Sequence, residues 1–322
     1  MCQHSIFDHH IKNLFVFLWT KMANIKEAND CYSRAEKALK TGLMKWTPDY
    51  EIAANEYSNA AKIFRQVRIP EKAIEANLKA ANCYEKSRSY FSAAKCYEQA
   101  GAISKEMKEW DKMIGYYEKC CMYYREHGVP DTAALTFNKI AGVLETIKPE
   151  KSAEWYGRCY DITMNEDRYL QAAEYANKAV RMYLKLKNYD EAIRLSDKAF
   201  EAYITGGEER SAGRQTVTTV IIQLARDDSV AAQKAYMANK TYIHQDERYT
   251  LDQLFQGFDQ FDNTTINQAL KSPFLSSMDN EIVKIVRDLL LKYQPKTDTG
   301  DQYNPSNANN DDDYDDEAGA VL

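Results

Sequence analysis

The sequence predicts an all-α fold, a solenoid of helical hairpins closed by a C-terminal helical bundle. Three observations predict it. A pattern of small residues returns about every 20 residues from Ala53 to Ala199. Turn formers are scarce, with 12 Gly and 7 Pro in 322 residues; a many-stranded sandwich or barrel needs a turn signal every ~8–12 residues. Ala-rich stretches and 23 Tyr point to helices packed through aromatic rings.

Along the chain, residues 1–21 come first. They hold His4, His9 and His10, read as a disordered extension in preference to a metal-binding end. The run Leu14 to Trp19 is apolar, but far short of the ~20 residues a spanning helix needs. It also lacks the length and small-residue cleavage site of a secretory leader. Cys31, Ala35, Ala38 and Leu39 share a helical face and mark the first helix of an array over 22–205.

The array itself is carried by Ala53, Ala73, Ala93, Met113, Ala133, Ser152, Ala172 and Ala192, spaced by 20 with one step of 19. Seven residues after each come Ala60, Ala80, Ala100, Cys120, Ile140, Cys159, Ala179 and Ala199. Between them, at the fourth position, come Tyr57, Asn77, Tyr97, Tyr117, Phe137, Tyr156, Ala176 and Ser196. Offsets of four and seven fall on one helical face. Two small residues let neighbouring axes approach, and the aromatic fills the gap between them. The residue after each start nearly alternates between Ala and Ile, so the unit is two unlike helices, a hairpin of about 40 residues. Pro70, Pro130 and Pro149 stand where a first-turn proline costs no hydrogen bond. The sum is a tetratricopeptide-like helical-hairpin solenoid, whose extended surface suits binding.

The pattern fades after Thr205, and Gly206-Gly207 is expected to break the chain. Helices near 208–226, 228–240, 246–260, 264–271 and 279–292 form a C-terminal bundle over 206–293 that does not keep the 20-residue rhythm, the last one starting at an Asp279 N-cap. From 294 to 322 the chain is Asn-, Asp- and Gly-rich, and reads as a disordered acidic tail.

Charge separates body from tail. The chain has 42 bases, 48 acids and a net charge of −6; residues 298–322 carry eight acids and no base, which leaves 42 bases against 40 acids in the body. The seven cysteines form no C-x-x-C pair and sit mostly where Ala recurs, as buried reduced thiols do. No nucleotide-cradling glycine loop, zinc-protease helix or nucleophile elbow occurs. The chain is therefore read as a non-enzyme with no cofactor and no metal.

Three features bear on binding. One position before the second small residue stand Lys79, Lys119, Arg158 and Lys198, about 40 residues apart, with Lys139 and Lys178 at the same place on two of the alternate helices. In register these form a positive stripe that attracts an elongated acidic partner, or a merely solvated flank beside the seam. The segment Lys40-Thr41-Gly42-Leu43-Met44-Lys45-Trp46-Thr47-Pro48-Asp49-Tyr50 interrupts the spacing. Leu43, Met44 and Trp46 beside lysines could touch an anionic bilayer, or Trp46 could tuck against the first hairpin. The end of the chain joins Asp311, Asp312, Asp313, Asp315, Asp316 and Glu317 to Val321 and Leu322. That suits either plain solvation or docking of a flexible peptide on a basic partner.

The stretch A-E-K-A-L-K-T-G-L-M-K-W-T-P-D-Y-E-I-A-A-N-E-Y-S-N-A-A (35–61) closely resembles the start of gamma-type soluble NSF attachment proteins. So do D-S-V-A-A-Q-K-A (228–235), L-D-Q-L-F-Q-G-F-D-Q-F-D (251–262) and S-P-F-L-S-S-M-D-N (272–280). The resemblance runs from about Met22 to Asp288 and includes the character of the tail. It implies an adaptor on the cytosolic face of membranes. Such adaptors bind the assembled, syntaxin-type SNARE four-helix bundle along the solenoid and recruit the ATPase NSF, which pulls the bundle apart during vesicle transport. Contact with membrane is peripheral, and nucleic acid is not among the partners. In the alpha and beta members the apolar loop bears paired Phe, where this chain has Leu43, Met44 and Trp46. The family's tip has a penultimate Leu, where this chain has Val321 followed by Leu322. Residues 1–21 have no counterpart. The alternative to this reading is a generic scaffold for another peptide or a chaperone tail.

Overall fold

The computed structural model describes residues 2–41 and 46–295, with the backbone alone over 2–17. Among these residues the chain is helical, without strands. The array comprises α1 (Cys2–Leu39), α2 (Tyr50–Gln66), α3 (Pro70–Lys86), α4 (Tyr90–Glu106), α5 (Trp110–Glu126), α6 (Pro130–Leu144), α7 (Pro149–Asn165), α8 (Tyr169–Lys185), α9 (Tyr189–Thr205) and α10 (Glu209–Ala225). The chain then continues through α11 (Ser229–Asn239), a 3-10 turn over Lys240–Tyr242, α12 (Gln245–Asp259), α13 (Asn263–Leu270), α14 (Pro273–Ser276) and α15 (Asn280–Lys292).

The 20-residue pitch has a local cause. Helices α2 to α5 have 17 residues each, and three residues join each to the next. At the end of α2 the Ile69 N–H donates to the Phe64 carbonyl and the Arg68 N–H to the Arg65 carbonyl, with Arg68 at φ 59°. This left-handed closing turn satisfies carbonyls that a helix end leaves unpaired. It recurs at Arg88, Lys108, Asp167, Lys187 and Asp227, and with glycine at Gly128 and Gly207. Between α6 and α7 no residue turns left-handed; Ile147 and Lys148 both donate to the Leu144 carbonyl, which gives the single 19-residue step.

The seam is the one expected. Every residue at the second small position, from Ala60 to Ala199, has no exposed surface. Tyr57, Tyr97, Tyr117, Phe137 and Tyr156 between them are all at most 5% exposed. Phe137 meets the buried Trp155 ring edge-on, centroids 5.1 Å apart. The polar seam residues are satisfied within it: the Asn77 amide donates to the Ala73 carbonyl at 2.9 Å and the Ser152 hydroxyl to that of Ala141 at 2.8 Å. Cys31, Cys83, Cys96, Cys120, Cys121 and Cys159 are buried and none is in a disulfide. Burial pushes the Cys96 thiol up to about 11 and that of Cys159 to about 12.

Two expectations are corrected. Residues 2–21 do not form a separate disordered segment: they belong to α1, where no Gly or Pro interrupts the helix between Cys2 and Leu39. The rhythm also does not stop at Thr205. Gly206 caps α9 and Gly207 makes the same turn as Gly128. Helices α10 and α11 then start 20 residues apart, with Ala212 and Ala232 fully buried in phase with Ala192. What changes is the seam chemistry. Instead of an aromatic, Ser196 shares a hydrogen bond with Thr219 at 2.8 Å and accepts one from Gln215 at 2.7 Å.

Closure of the array follows from α10. It is buried on several sides, through Val217, Val220, Ile221, Ile222 and Leu224. The 3-10 turn runs so close to α10 that a Cβ on Gly213 would lie 2.2 Å from the Tyr242 carbonyl oxygen. Helix α15 starts at the expected cap, Asp279 accepting from the Glu281 N–H at 3.1 Å, and buries Ile282, Ile285, Val286 and Leu289.

Gly213→Ala is expected to force the 3-10 turn off α10 and to destabilise the protein by about 1–3 kcal/mol. Thermal unfolding should register this as a lower midpoint. An unchanged midpoint would show that the turn yields without cost.

Candidate functional site

Alternation of helix direction sorts the array into two layers. Side-chain contacts tie alternate helices within a layer. In the odd-numbered layer Lys79 of α3 reaches Glu36 of α1, Lys151 of α7 reaches Glu118 of α5, and Lys198 of α9 reaches Asp161 of α7, at 3.1, 2.9 and 2.9 Å. In the even-numbered layer Arg65 of α2 reaches Glu106 of α4 at 2.6 Å, and Lys178 of α8 reaches Asn138 of α6 at 2.8 Å.

The six expected basic residues divide by this rule. Lys79, Lys119, Arg158 and Lys198 lie on α3, α5, α7 and α9, all in the odd layer. Lys139 and Lys178 lie on α6 and α8, in the even layer. The row is thus four residues long on one layer, and the other two stand apart from it.

Each cation in the row is positioned by the seam. Lys79 lies 5.6 Å from the centre of the Tyr57 ring and 4.5 Å from that of Tyr32. Lys119 lies 5.2 Å from Tyr97, and the Arg158 guanidinium 5.7 Å from Phe137. In these three cases the ring is the mid-seam aromatic of the preceding helix. Lys198 instead lies 4.8 Å from Tyr160 of α7. A cation over an aromatic face gains about 0.5–1 kcal/mol at exposed sites.

Acids accompany three of the four. Lys79 pairs with Glu36, Arg158 with Glu154 at 2.5 Å and Glu118 at 3.7 Å, and Lys198 with Asp161. Among the described residues Lys119 and Lys139 have no ion pair, and both are exposed. The row is therefore largely charge-compensated, which its basic residues alone do not reveal. Glu154 was findable, being four residues before Arg158 on the same helix. Glu36, Glu118 and Asp161 sit on neighbouring helices, where only stacking brings them near.

The seam phenols complete the network. Tyr57 donates to Glu36 at 2.5 Å, Tyr97 to Glu85 at 2.8 Å and Tyr156 to Glu145 at 2.7 Å. Burial first, then the hydrogen bond to the carboxylate, pushes each of these phenols far above the usual tyrosine range. Burial raises Tyr160 to about 12, aided by the charges of Glu201 and Asp161. Glu36 is held below its usual range by the hydrogen bonds from Tyr57 and Lys79.

Trp46 is 88% exposed, so it does not tuck against the first hairpin. Leu43 and Met44 lie outside the described residues, as do Asp311, Asp312, Asp313, Asp315, Asp316, Glu317, Val321 and Leu322. Among the described residues there is no metal-binding cluster of His, Cys, Asp or Glu, and no helix is long and apolar enough to cross a membrane.

Phenols ionise near 10 in the unfolded chain and higher in the fold, so their contribution is whole below pH 10 and shrinks as pH rises. Each such group lowers stability by up to about 1.4 kcal/mol per pH unit above pH 10. Urea midpoints measured from pH 8 to 11.5 should fall gently once the buried thiols pass their ordinary range, about pH 8.5, and more steeply above pH 10. The fall should be shallower in the triple variant Tyr57→Phe, Tyr97→Phe, Tyr156→Phe; an identical slope would exclude these phenols as its source.

The family profile described as soluble NSF attachment protein, SNAP, matches residues 26–274. The gamma-soluble NSF attachment protein of Dictyostelium discoideum is 27% identical over 266 residues, covering 82% of this chain and 82% of that one. That of Arabidopsis thaliana is 26% identical over 264 residues, covering 80% and 89%. Among solved structures, BtubC (BKLC) from P. vanneervenii is similar with 15% identity and a TM-score of 0.34, over 69% of this chain and 90% of that one.

Proposed function

Because the chain belongs to the soluble NSF attachment protein family, we propose that it is an adaptor, without catalysis of its own, that binds assembled SNARE complexes and recruits the ATPase NSF to take them apart in vesicle-mediated transport. The family match over residues 26–274 is the observation that carries this reading. The odd layer supports it: four cations 39 or 40 residues apart along the chain form a row on parallel helices. A SNARE bundle is a long, largely acidic rod, and a row of cations in register suits its sign.

The seam makes the row suitable for the task. Lys79, Arg158 and Lys198 are braced by rings and carboxylates, so little side-chain freedom is lost when a partner arrives. Their acids must be exchanged for the partner's acids, which favours correct register over raw affinity. Lys119 has no acid to give up and is the strongest single contact. Lys139 and Lys178, on the other layer, serve a second contact or none.

The remaining roles rest on the ends. Leu43, Met44 and the exposed Trp46, flanked by Lys40 and Lys45, make a peripheral contact with anionic membrane on its cytosolic face. The acidic run from Asp311 to Glu317, with Val321 and Leu322, engages the ATPase through its charge and its apolar end.

In a pull-down on immobilised SNARE complex, the quadruple variant Lys79→Glu, Lys119→Glu, Arg158→Glu, Lys198→Glu should bind at least about tenfold more weakly at 0.1 M salt. The deficit should narrow as salt rises. Lys119→Glu should be the most damaging single change. Deleting the last twelve residues should leave SNARE binding intact and abolish ATPase recruitment. A scaffold for chaperone tails would ignore both changes. In liposome co-sedimentation with anionic vesicles, Leu43→Ser with Met44→Ser should reduce the bound fraction several-fold; undiminished binding would remove the membrane role from this loop.

A further inference from the structure

The even layer carries a groove that repeats in register, and this chain fills one copy of it with its own C-terminal helix. Between α8 and α10, above Tyr203 of α9, lie Ser277, Met278, Asp279 and Ile282. One Asp279 oxygen caps α15, and the other pairs with Arg181 at 3.1 Å. Arg214 donates to the Ser277 hydroxyl at 3.2 Å. About 310 Å³ of space remains beside the helix start.

The same groove recurs between α2 and α4, above Tyr84 of α3, where it is open and holds about 650 Å³. Counted from the small residue that opens each helix pattern, the two copies match position for position. Tyr84 stands where Tyr203 stands, Lys62 where Arg181 stands, and Lys95 where Arg214 stands. Ala61 replaces Val180, which widens the floor. The two grooves between lack the cation pair: they present Ala102 with Leu135, and Gly142 with Glu174. The pair is therefore not a general property of the layer.

The charges are placed to be used. Lys62 is exposed and has no ion pair among the described residues. Lys95 has a single ion pair there, to Glu98 one turn along its own helix at 2.9 Å. Arg65, held by Gln99 at 2.8 Å and Glu106 at 2.6 Å, bounds the groove where the filled copy has Leu184.

We propose that the α2–α4 groove is a docking site for the N-terminus of a partner protein's amphipathic helix, one that begins with an apolar residue, an Asp cap and an aliphatic residue three positions on. The filled copy supplies the template, Met278-Asp279-Asn280-Glu281-Ile282. A cap carboxylate there meets the positive end of its own helix and a cation at once. Lys62 takes that carboxylate, Lys95 takes the polar residue two before it, and the wider floor at Ala61 receives the apolar residue preceding the cap. The site is on the layer opposite to the odd-layer row, so it is separate from the proposed SNARE contact.

The test uses the full chain and a fluorescein-labelled synthetic peptide of residues 272–293, followed by fluorescence anisotropy at low salt. Saturable binding is expected. It should weaken at least about tenfold with Lys62→Glu plus Lys95→Glu in the chain, and equally with Asp279→Asn in the peptide. Arg181→Gln in the chain should leave it unchanged. The milder pair Lys62→Gln plus Lys95→Gln should reproduce the loss, and circular dichroism should show both pairs folded. Absence of saturable binding would overturn the proposal. So would equal binding by the lysine variants, or a loss that follows Arg181→Gln instead, which would mean that the peptide exchanges with α15 in its own groove. None of these readouts involves SNAREs or the ATPase.

Discussion

The close approach of neighbouring helix axes, set by small residues at most of the two seam positions on each helix, is the constraint from which the other features follow. Ala, Cys or Ser at all of these positions except Met113 and Ile140 lets consecutive helices come close enough for the residue between them to bridge the seam. Interiors are close-packed, so this spacing tolerates little change. A buried Tyr at the bridge then needs a partner for its hydroxyl. Glu36, Glu85 and Glu145 provide it. The ring face that results is where the next helix sets its lysine or arginine. One packing distance thus reaches outward, from alanine to ring to surface charge.

The charges so placed are not a bare positive field. Three of the four odd-layer cations carry an acid with them, and the body as a whole is close to balance once the acidic tail is set aside. Exposed pairs of this kind contribute little to stability, about 0–1 kcal/mol each. Their consequence is geometric: they hold long side chains in place on a stacked scaffold. A partner presenting acids at the same spacing meets groups already positioned for it.

Closure of the array shows how one surface can be used twice. A repeat array needs its last seam covered, and here α10 is covered by the chain folding back through the 3-10 turn and α15. The helix start that does this is held by an arginine pair in a groove that any two alternate helices of the even layer could form. Only the first groove repeats the cation pair.

Much of this was legible in the residues alone, because it is local. Helical phase follows from the offsets of four and seven, and the pitch from 17 helical residues plus a left-handed turn. The starts at Pro70, Pro130, Pro149 and Asp279 follow from the chemistry of first turns. Helix α10 fell outside the pattern for a readable reason: Ala212 and Ala232 keep the phase, but hydroxyls replace the aromatic bridge around Ser196 and Thr219. The tertiary structure alone decided which acids accompany each cation of the row, and that Trp46 stands free of the first hairpin. Those facts depend on side chains about 40 residues apart meeting across stacked helices. A one-dimensional pattern records each helix's phase, whereas the rotation and offset between helices arise only when the seams close.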